Sequence, residues 1–192
     1  MAERMSEMEL LKQLEALVPY DETEQADQAV VIAYLKEHDD AFLRSNRIAH
    51  FTASAWIVNQ DKNKVLLIYH NIYDSWGWCG GHADGERDLL ACALKEAREE
   101  TGLEAFTVLD EKPLSCEIAP VFAHRKNGKA VNAHLHLNVT YALMADDRSP
   151  LRIKPDENSG VKWFAIDHYE EVIREQDMLP IYRKLTKCIL TK

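Results

Sequence analysis

Residues 80–103 read Gly-Gly-His-Ala-Asp-Gly-Glu-Arg-Asp-Leu-Leu-Ala-Cys-Ala-Leu-Lys-Glu-Ala-Arg-Glu-Glu-Thr-Gly-Leu, and this stretch decides the fold. The paired glycines predict a loop. The residues after Asp88 predict a helix of about 13 residues, with Asp88 as its N-cap and Gly102 as the left-handed residue that ends it. Glu96, Glu99 and Glu100 lie three and four apart and therefore share one side of that helix. Left uncompensated, like charges at this spacing cost roughly 0.2–0.5 kcal/mol per pair. A hard divalent cation with oxygen ligands turns that repulsion into a binding site. The opposite side carries Leu90, Leu94, Ala97 and Thr101 at helical spacing, and Ala91, Ala93 and Ala97 are small enough to let a sheet approach. Taken alone, the glutamates also fit an ordinary solvated face paired with Lys95 and Arg98.

With its glycine flanks the stretch resembles the Nudix box, G-x5-E-x7-R-E-U-x-E-E-x-G-U, where U is aliphatic. Gly81, Glu96, Ala97, Glu99, Glu100, Gly102 and Leu103 stand at matching positions. Arg87 stands where the first Glu of the motif is expected, with Glu86 just before it, and Lys95 replaces the motif's Arg. Lysine lacks the planar bidentate fork of guanidinium, so a carboxylate it orients is held less firmly. Either Glu86 takes over the missing Glu through a small loop adjustment, or that outer contact is absent.

The resemblance implies an α/β fold, a Nudix-like α/β/α sandwich with a mixed sheet, over about residues 48–190. It implies that Glu96, Glu99 and Glu100, with the backbone carbonyl of Gly80, hold Mg²⁺ or Mn²⁺ against phosphate oxygens. The implied reaction is hydrolysis of the diphosphate linkage in a nucleoside diphosphate derivative or similar organic diphosphate. The cation would neutralise developing charge and acidify water, and one of the carboxylates would act as general base. The resemblance also implies a further carboxylate from a loop outside the box. Glu157, in Pro155-Asp-Glu-Asn-Ser-Gly160, is the candidate, with Asp156 and Glu117 as rivals. Two other readings share the fold. A non-catalytic sensor domain is favoured by Arg87 and Lys95, and an isopentenyl-diphosphate isomerase by Cys79 beside the glycines.

Composition narrows the class. The chain has 192 residues, enough for one sizeable core and an added subdomain. It holds no 18-residue apolar run, so no transmembrane helix is expected. Met1 to Glu9 lack a basic start followed by an apolar stretch, which argues against a signal peptide. Cys79, Cys92, Cys116 and Cys188 are scattered with no C-x-x-C pair, which predicts reduced thiols in a cytoplasmic protein. A net charge of −9 argues against a general nucleic-acid binder. The expected partner is therefore a small-molecule diphosphate, with a homodimer also open.

Residues 1–47 predict a helical N-terminal extension ahead of a domain at 48–192. Leu10, Leu11, Leu14, Leu17 and Val18 form one apolar stripe closed by Pro19. Ala29, Val30, Ile32, Ala33 and Leu35 mark a second helix begun near Asp21 or Thr23. The extension could pack on the core, mediate dimerisation or cover a substrate pocket. Strands are predicted at 51–58, 65–69, 115–124, 131–145 and 161–166, with Lys126-Asn127-Gly128-Lys129 as a hairpin turn and C-terminal helices at 167–175 and 178–190.

Outside the box, His134, His136 and Asn138 alternate with Leu135, Leu137 and Val139, which puts the polar trio on one strand face. That face suits a substrate groove or a hydrogen-bonded structural surface. A His-x-His pair can bind zinc, but no third ligand is evident. His82, after the glycines, is a candidate phosphate contact. Tyr69, Tyr73, Trp76 and Trp78 could stack on a base, with Trp78 nearest the box. Arg125, Lys126, Arg148, Arg152 and Lys154 are the candidate phosphate cations.

Overall fold

The computed structural model describes residues 7–126 and 128–191. The reading of Met1 to Ser6 and of Asn127 therefore lies outside the described residues. The chain begins with two helices, α1 (Glu7–Ala16) and α2 (Glu22–Glu37). Strands β1 (Ala49–Val58), β2 (Lys64–His70), β3 (Ser75–Gly77) and β4 (Cys79–His82) follow, leading into α3 (Leu89–Thr101). Then come β5 (Thr107–Val108), β6 (Ser115–Val121), β7 (His124–Lys126), β8 (Lys129–Val131), β9 (His134–Met144) and β10 (Asn158–Ala165). Two short 3₁₀ turns, Tyr169–Val172 and Gln176–Met178, precede α4 (Leu179–Leu190).

The main sheet is mixed, in the order β10-β2-β1-β9-β5, with β3 on β2, β4 on β1 and β6 on β9. Its centre is the parallel pair β1–β9, running in register from Ala49↔Leu135 to Val58↔Met144. On its other edge β1 changes partner. Ile57 and Val58 pair with Leu66 and Val65 of β2, whereas Thr52 to Ala55 pair with His82 to Cys79 of β4. The sheet therefore forks beside the first half of β1.

Alternation along β1 sorts its side chains between two cores. Phe51, Ala53, Ala55 and Ile57 pack in one with α1, α2 and α3 residues such as Leu10, Leu14, Leu35, Leu89 and Ala97. Trp56 and Val58 enter the other, with Tyr182, Leu185 and Ile189 of α4. The remaining positions on the α4 face, His50, Thr52 and Ser54, are polar and buried. The apolar half of that face is thus covered by α4, and the polar half looks into the fork.

α1 is fixed to this body mainly by apolar burial. Leu10 and Leu14 are fully buried, worth about 1.5–3 kcal/mol each, whereas its half-exposed Glu7–Arg87 ion pair is worth at most about 1 kcal/mol. α2 covers the open edge of β6, because Glu24 and Asp27 accept the backbone N–H groups of Cys116 and Ile118 at 2.9 and 3.0 Å. Val18, expected in the α1 stripe, is exposed, since the helix ends at Ala16 and Pro19 turns the chain away.

Helix α3 has the predicted length and caps. Asp88 accepts the Ala91 N–H, and Gly102 is left-handed with φ 72°. Its buried face differs from the expected one. Leu89, Cys92, Ala93, Glu96, Ala97, Glu100 and Thr101 are buried, while Leu90 and Leu94 are only partly covered. Two glutamates therefore lie inside, on the same side as the small residues. The expected glycine loop is also corrected: Gly80 and Gly81 belong to β4, opposite Ser54 and Ala53. The segments 115–124 and 131–145 each break into two strands, and Lys126 pairs with Lys129 across the predicted turn. The helix expected at 167–175 is a single 3₁₀ turn.

Candidate active site

The fork in the sheet opens into a cavity of ≈ 660 Å³. Gly80, His82, Trp78, Glu96, Glu99, Glu100, His134, His136 and Glu157 all line it. Residues singled out on four separate segments thus meet in one place. Asp156 reaches the same wall, but Glu117 does not. Glu117 is buried elsewhere, 2.9 Å from the Lys184 ammonium and bonded to the Ser115 hydroxyl.

The β4–α3 contact sets the carboxylates. A Cβ at Gly81 would lie 2.5 Å from Glu96 Cδ, so the missing side chain is what lets the Glu96 carboxylate lie against the strand where it does. Next to it, the Gly80 N–H donates to Glu100 Oε2 at 2.9 Å. Glu100 is 2 % exposed, and its carboxyl is pushed up to about 8 by burial, with Glu96 and Glu157 adding repulsion against the Gly80 hydrogen bond. Burial also raises the Glu96 carboxyl, against the pull of Lys95. Glu99 lies toward solvent and is lowered by the hydrogen bond from Lys154.

Two lysines supply the local positive charge. Lys95 Nζ lies 3.3 Å from Glu96 and 3.6 Å from Glu99. Lys154 Nζ lies 2.7 Å from Glu99 and 2.9 Å from Glu157. Asn158 anchors the Glu157 loop to α3 by donating to the Glu100 carbonyl at 3.0 Å. The donor set is hard oxygen, which suits Mg²⁺ or Mn²⁺. In this structure Glu96, Glu99 and Glu157 contact the two ammonium groups, and Glu100 accepts from the Gly80 N–H.

The motif departures have distinct consequences. Glu86 does not take over for the missing Glu: it accepts the N–H groups of Arg87 and Asp88 at 2.9 and 3.0 Å, outside the cavity wall. Arg87 turns to the extension instead, pairing with Glu7 and lying 5.1 Å over the Phe42 ring. Of the candidate phosphate cations, Lys154 lines the cavity, whereas Arg148 pairs with Asp146. Arg44 and Arg47, not singled out in the sequence, also line it. Trp78 and Tyr73 form part of the wall, while Trp76 packs on Tyr69 and Phe164.

In the same cavity, His134 and His136 are joined by His82 and by His50. The signal for His50 was its parity with Thr52 and Ser54, once β1 is begun at Ala49 rather than Phe51. Asn138 is structural, accepting from the Thr52 and Ser54 hydroxyls at 3.0 and 2.8 Å. Burial and the neighbouring imidazoles hold the His136 ring down to about 2, and burial lowers His50.

A NUDIX domain model matches residues 49–186, which covers most of the chain and all of this cavity's box residues. The chain belongs to the Nudix family. The family places it among hydrolases of the pyrophosphohydrolase type, acting on phosphorus-containing anhydrides. No match is found among curated proteins. Solved structures with the same fold include a C. elegans Ap4A hydrolase binary complex, at 16 % identity and TM-score 0.54, covering 74 % of this chain and 98 % of that one. The NUDIX domain of Shewanella oneidensis NrtR complexed with ADP ribose aligns at 18 % identity and TM-score 0.53, covering 82 % and 97 %. The E. coli dihydroneopterin triphosphate pyrophosphohydrolase aligns at 12 % and 0.53, covering 74 % and 96 %. Among the described residues no helix is long and apolar enough to cross a membrane.

Proposed function

We propose that this Nudix protein hydrolyses the diphosphate bridge of a nucleoside diphosphate derivative or similar organic diphosphate, using a divalent cation. The observation that carries this reading is the buried Glu96–Glu100 pair, held against β4 by Gly81 and the Gly80 N–H, with Glu99 and Glu157 alongside in one cavity. Glu96, Glu99 and Glu100 would hold Mg²⁺ or Mn²⁺, with the Gly80 carbonyl, which in an extended strand leaves on the same edge as its N–H. When bound, the cation supplies Lewis-acid charge and acidifies water.

The chain's own groups do the rest. A carboxylate, Glu157 or one of the box glutamates, takes the proton of the attacking water. The new P–O bond forms as the bridging P–O bond breaks, and the leaving phosphate departs as an oxyanion. Lys154, Arg44 and Arg47 offer charge to the phosphates. Trp78 and Tyr73 offer flat faces to a base.

Incubation with ADP-ribose, Ap4A and dihydroneopterin triphosphate, with and without Mg²⁺, tests this. Release of monophosphate products only with the cation, abolished in Glu99→Gln and Glu100→Gln, is expected. A ligand-binding reading without turnover is favoured by one observation, the ammonium bridge across Glu99 and Glu157. Tight binding with no product in Mg²⁺ or Mn²⁺ would establish it. The isomerase reading loses its support, since the Cys79 thiol is fully buried, outside the cavity wall, and raised by that burial.

A further inference from the structure

We infer that His50, His82, His134 and His136 form a second metal site, a nitrogen-donor site for a borderline divalent ion of the Zn²⁺ class. Among the described residues, these four make up a group whose ligand atoms all lie within 4.8 Å of one another. The glutamates of the box make no such group. Three strands present the imidazoles. His50 of β1 lies opposite His136 of β9 in the parallel register, His134 lies two residues before His136 on the same face, and His82 of β4 lies opposite Thr52. Ring centroids are 4.9 Å apart for His50–His134 and His82–His136, and 5.0 Å for His134–His136.

The hydrogen bonds fix which nitrogens face inward. His50 Nδ1 lies 2.9 Å from the Asn46 carbonyl oxygen and His134 Nδ1 lies 2.9 Å from that of Asn132. A carbonyl oxygen only accepts, so in both rings Nδ1 is the donor, and Nε2 is the atom left to supply a lone pair to a metal. This is the outer-shell arrangement that orients metal-bound histidines. The His50 Nε2 atom is buried and has no hydrogen-bond partner, which is costly for a polar atom unless something binds there. His134 Nε2 and His136 Nε2 are 3.2 Å apart. Ligand nitrogens on a tetrahedral zinc, with Zn–N of about 2.0–2.1 Å, are spaced about 3.3–3.4 Å apart. One edge of the tetrahedron is therefore already set, and small side-chain swings draw in the others.

Ligand chemistry separates the two clusters. Imidazole suits Zn²⁺ and its transition-metal neighbours, whereas the carboxylates of α3 suit Mg²⁺. The histidine site does not depend on the hydrolase reading. Failure of diphosphate hydrolysis would leave it standing, and its own failure would leave the glutamate site untouched.

The test is a Co²⁺ titration of the chelator-treated full chain in saturating Mg²⁺, followed by displacement with Zn²⁺. One Co²⁺ per chain, with the intense visible absorption of a four-coordinate nitrogen site, is expected, and Zn²⁺ should bleach it stoichiometrically. His134→Gln and His50→Gln should weaken binding more than about 100-fold, past the roughly 10–100-fold that outer-shell losses cost, while Glu99→Gln leaves the spectrum unchanged. Absence of Co²⁺ binding in the wild-type chain, or a weak six-coordinate spectrum lost in Glu99→Gln and kept in His134→Gln, would overturn the proposal. The wild-type spectrum decides the matter even if a histidine variant misfolds.

Discussion

The Lys154 ammonium nitrogen lies 2.7 Å from a Glu99 carboxylate oxygen, and 2.9 Å from Glu157 on its other side. A lysine on the loop before β10 thus serves as counter-ion to two acids that the family's chemistry would give to a divalent cation. The ammonium and the cation compete for Glu99. Both side chains are partly exposed, so the pair is worth at most about 1 kcal/mol. Lys154→Met is therefore expected to tighten Mg²⁺ binding roughly 2–5-fold in the absence of substrate. Calorimetric titration reads this directly, and weaker binding would show that Lys154 does not oppose the ion.

The close passage of β4 over α3 gives a second expectation. A methyl at position 81 would meet Glu96 Cδ at 2.5 Å and Cγ at 2.8 Å. Glu96 is the part that can give, because its carboxylate is the end of a flexible side chain. Gly81→Ala should leave the fold intact while lowering Mg²⁺ affinity about 10–100-fold, the scale of losing a group that orients a ligand without removing it. Circular dichroism together with the same titration separates this from unfolding. Unchanged affinity would mean that the Glu96 position is not needed.

Burial of Glu100 makes stability depend on pH. Its folded pKa of about 8 stands above the ordinary carboxyl value of 4.5, so the folded chain holds a proton that the unfolded chain releases. The stability associated with that proton is present below about pH 4.5 and is lost as pH rises through 8. Glu117, raised to about 7 by burial, acts in the same direction. His136, held down to about 2, acts oppositely, but only below the ordinary histidine value of 6.5. Between pH 6.5 and 8.5 the carboxyls therefore dominate, and the metal-free protein should lose on the order of 1–2 kcal/mol. Melting curves in chelator should show a falling Tm, with a shallower slope in Glu100→Gln or in excess Mg²⁺. A Tm that rises over this range would contradict the assignment.

How much of this was legible depended on whether a residue's neighbours were local. The α3 caps at Asp88 and Gly102 and the alternation of β9 are written in consecutive residues. Gly80 and Gly81 have no side chains to alternate, so their place in a strand is set only by pairing with Ser54 and Ala53. The burial of Glu96 and Glu100 likewise comes from β4 lying over α3. Helical spacing ranks Leu90 and Leu94 as the core face because it cannot see that strand. His50 has no local signature, because its partners lie on β4 and β9, far along the chain. Arg87 reads as a defect in the box until Glu7 and Phe42 are beside it.

Lys184 of α4 is the hub of a buried ion triad, with Glu117 of β6 at 2.9 Å and Glu24 of α2 at 3.3 Å. All three side chains are nearly inaccessible, so solvent screens none of them. The triad joins the N-terminal extension, the sheet edge and the last helix. Glu24 Oε1 also caps the Cys116 N–H, which ties the charge network to the backbone. Removing the cation leaves two carboxylates facing one another out of water, and breaking a buried pair in this way costs about 3–5 kcal/mol. Lys184→Met should therefore lower the urea midpoint by that amount in free energy. Adding Glu117→Gln should restore part of the loss, because an amide needs no counter-ion. A Lys184→Met protein as stable as the parent would mean that the triad contributes little beyond what an apolar side chain of similar size supplies.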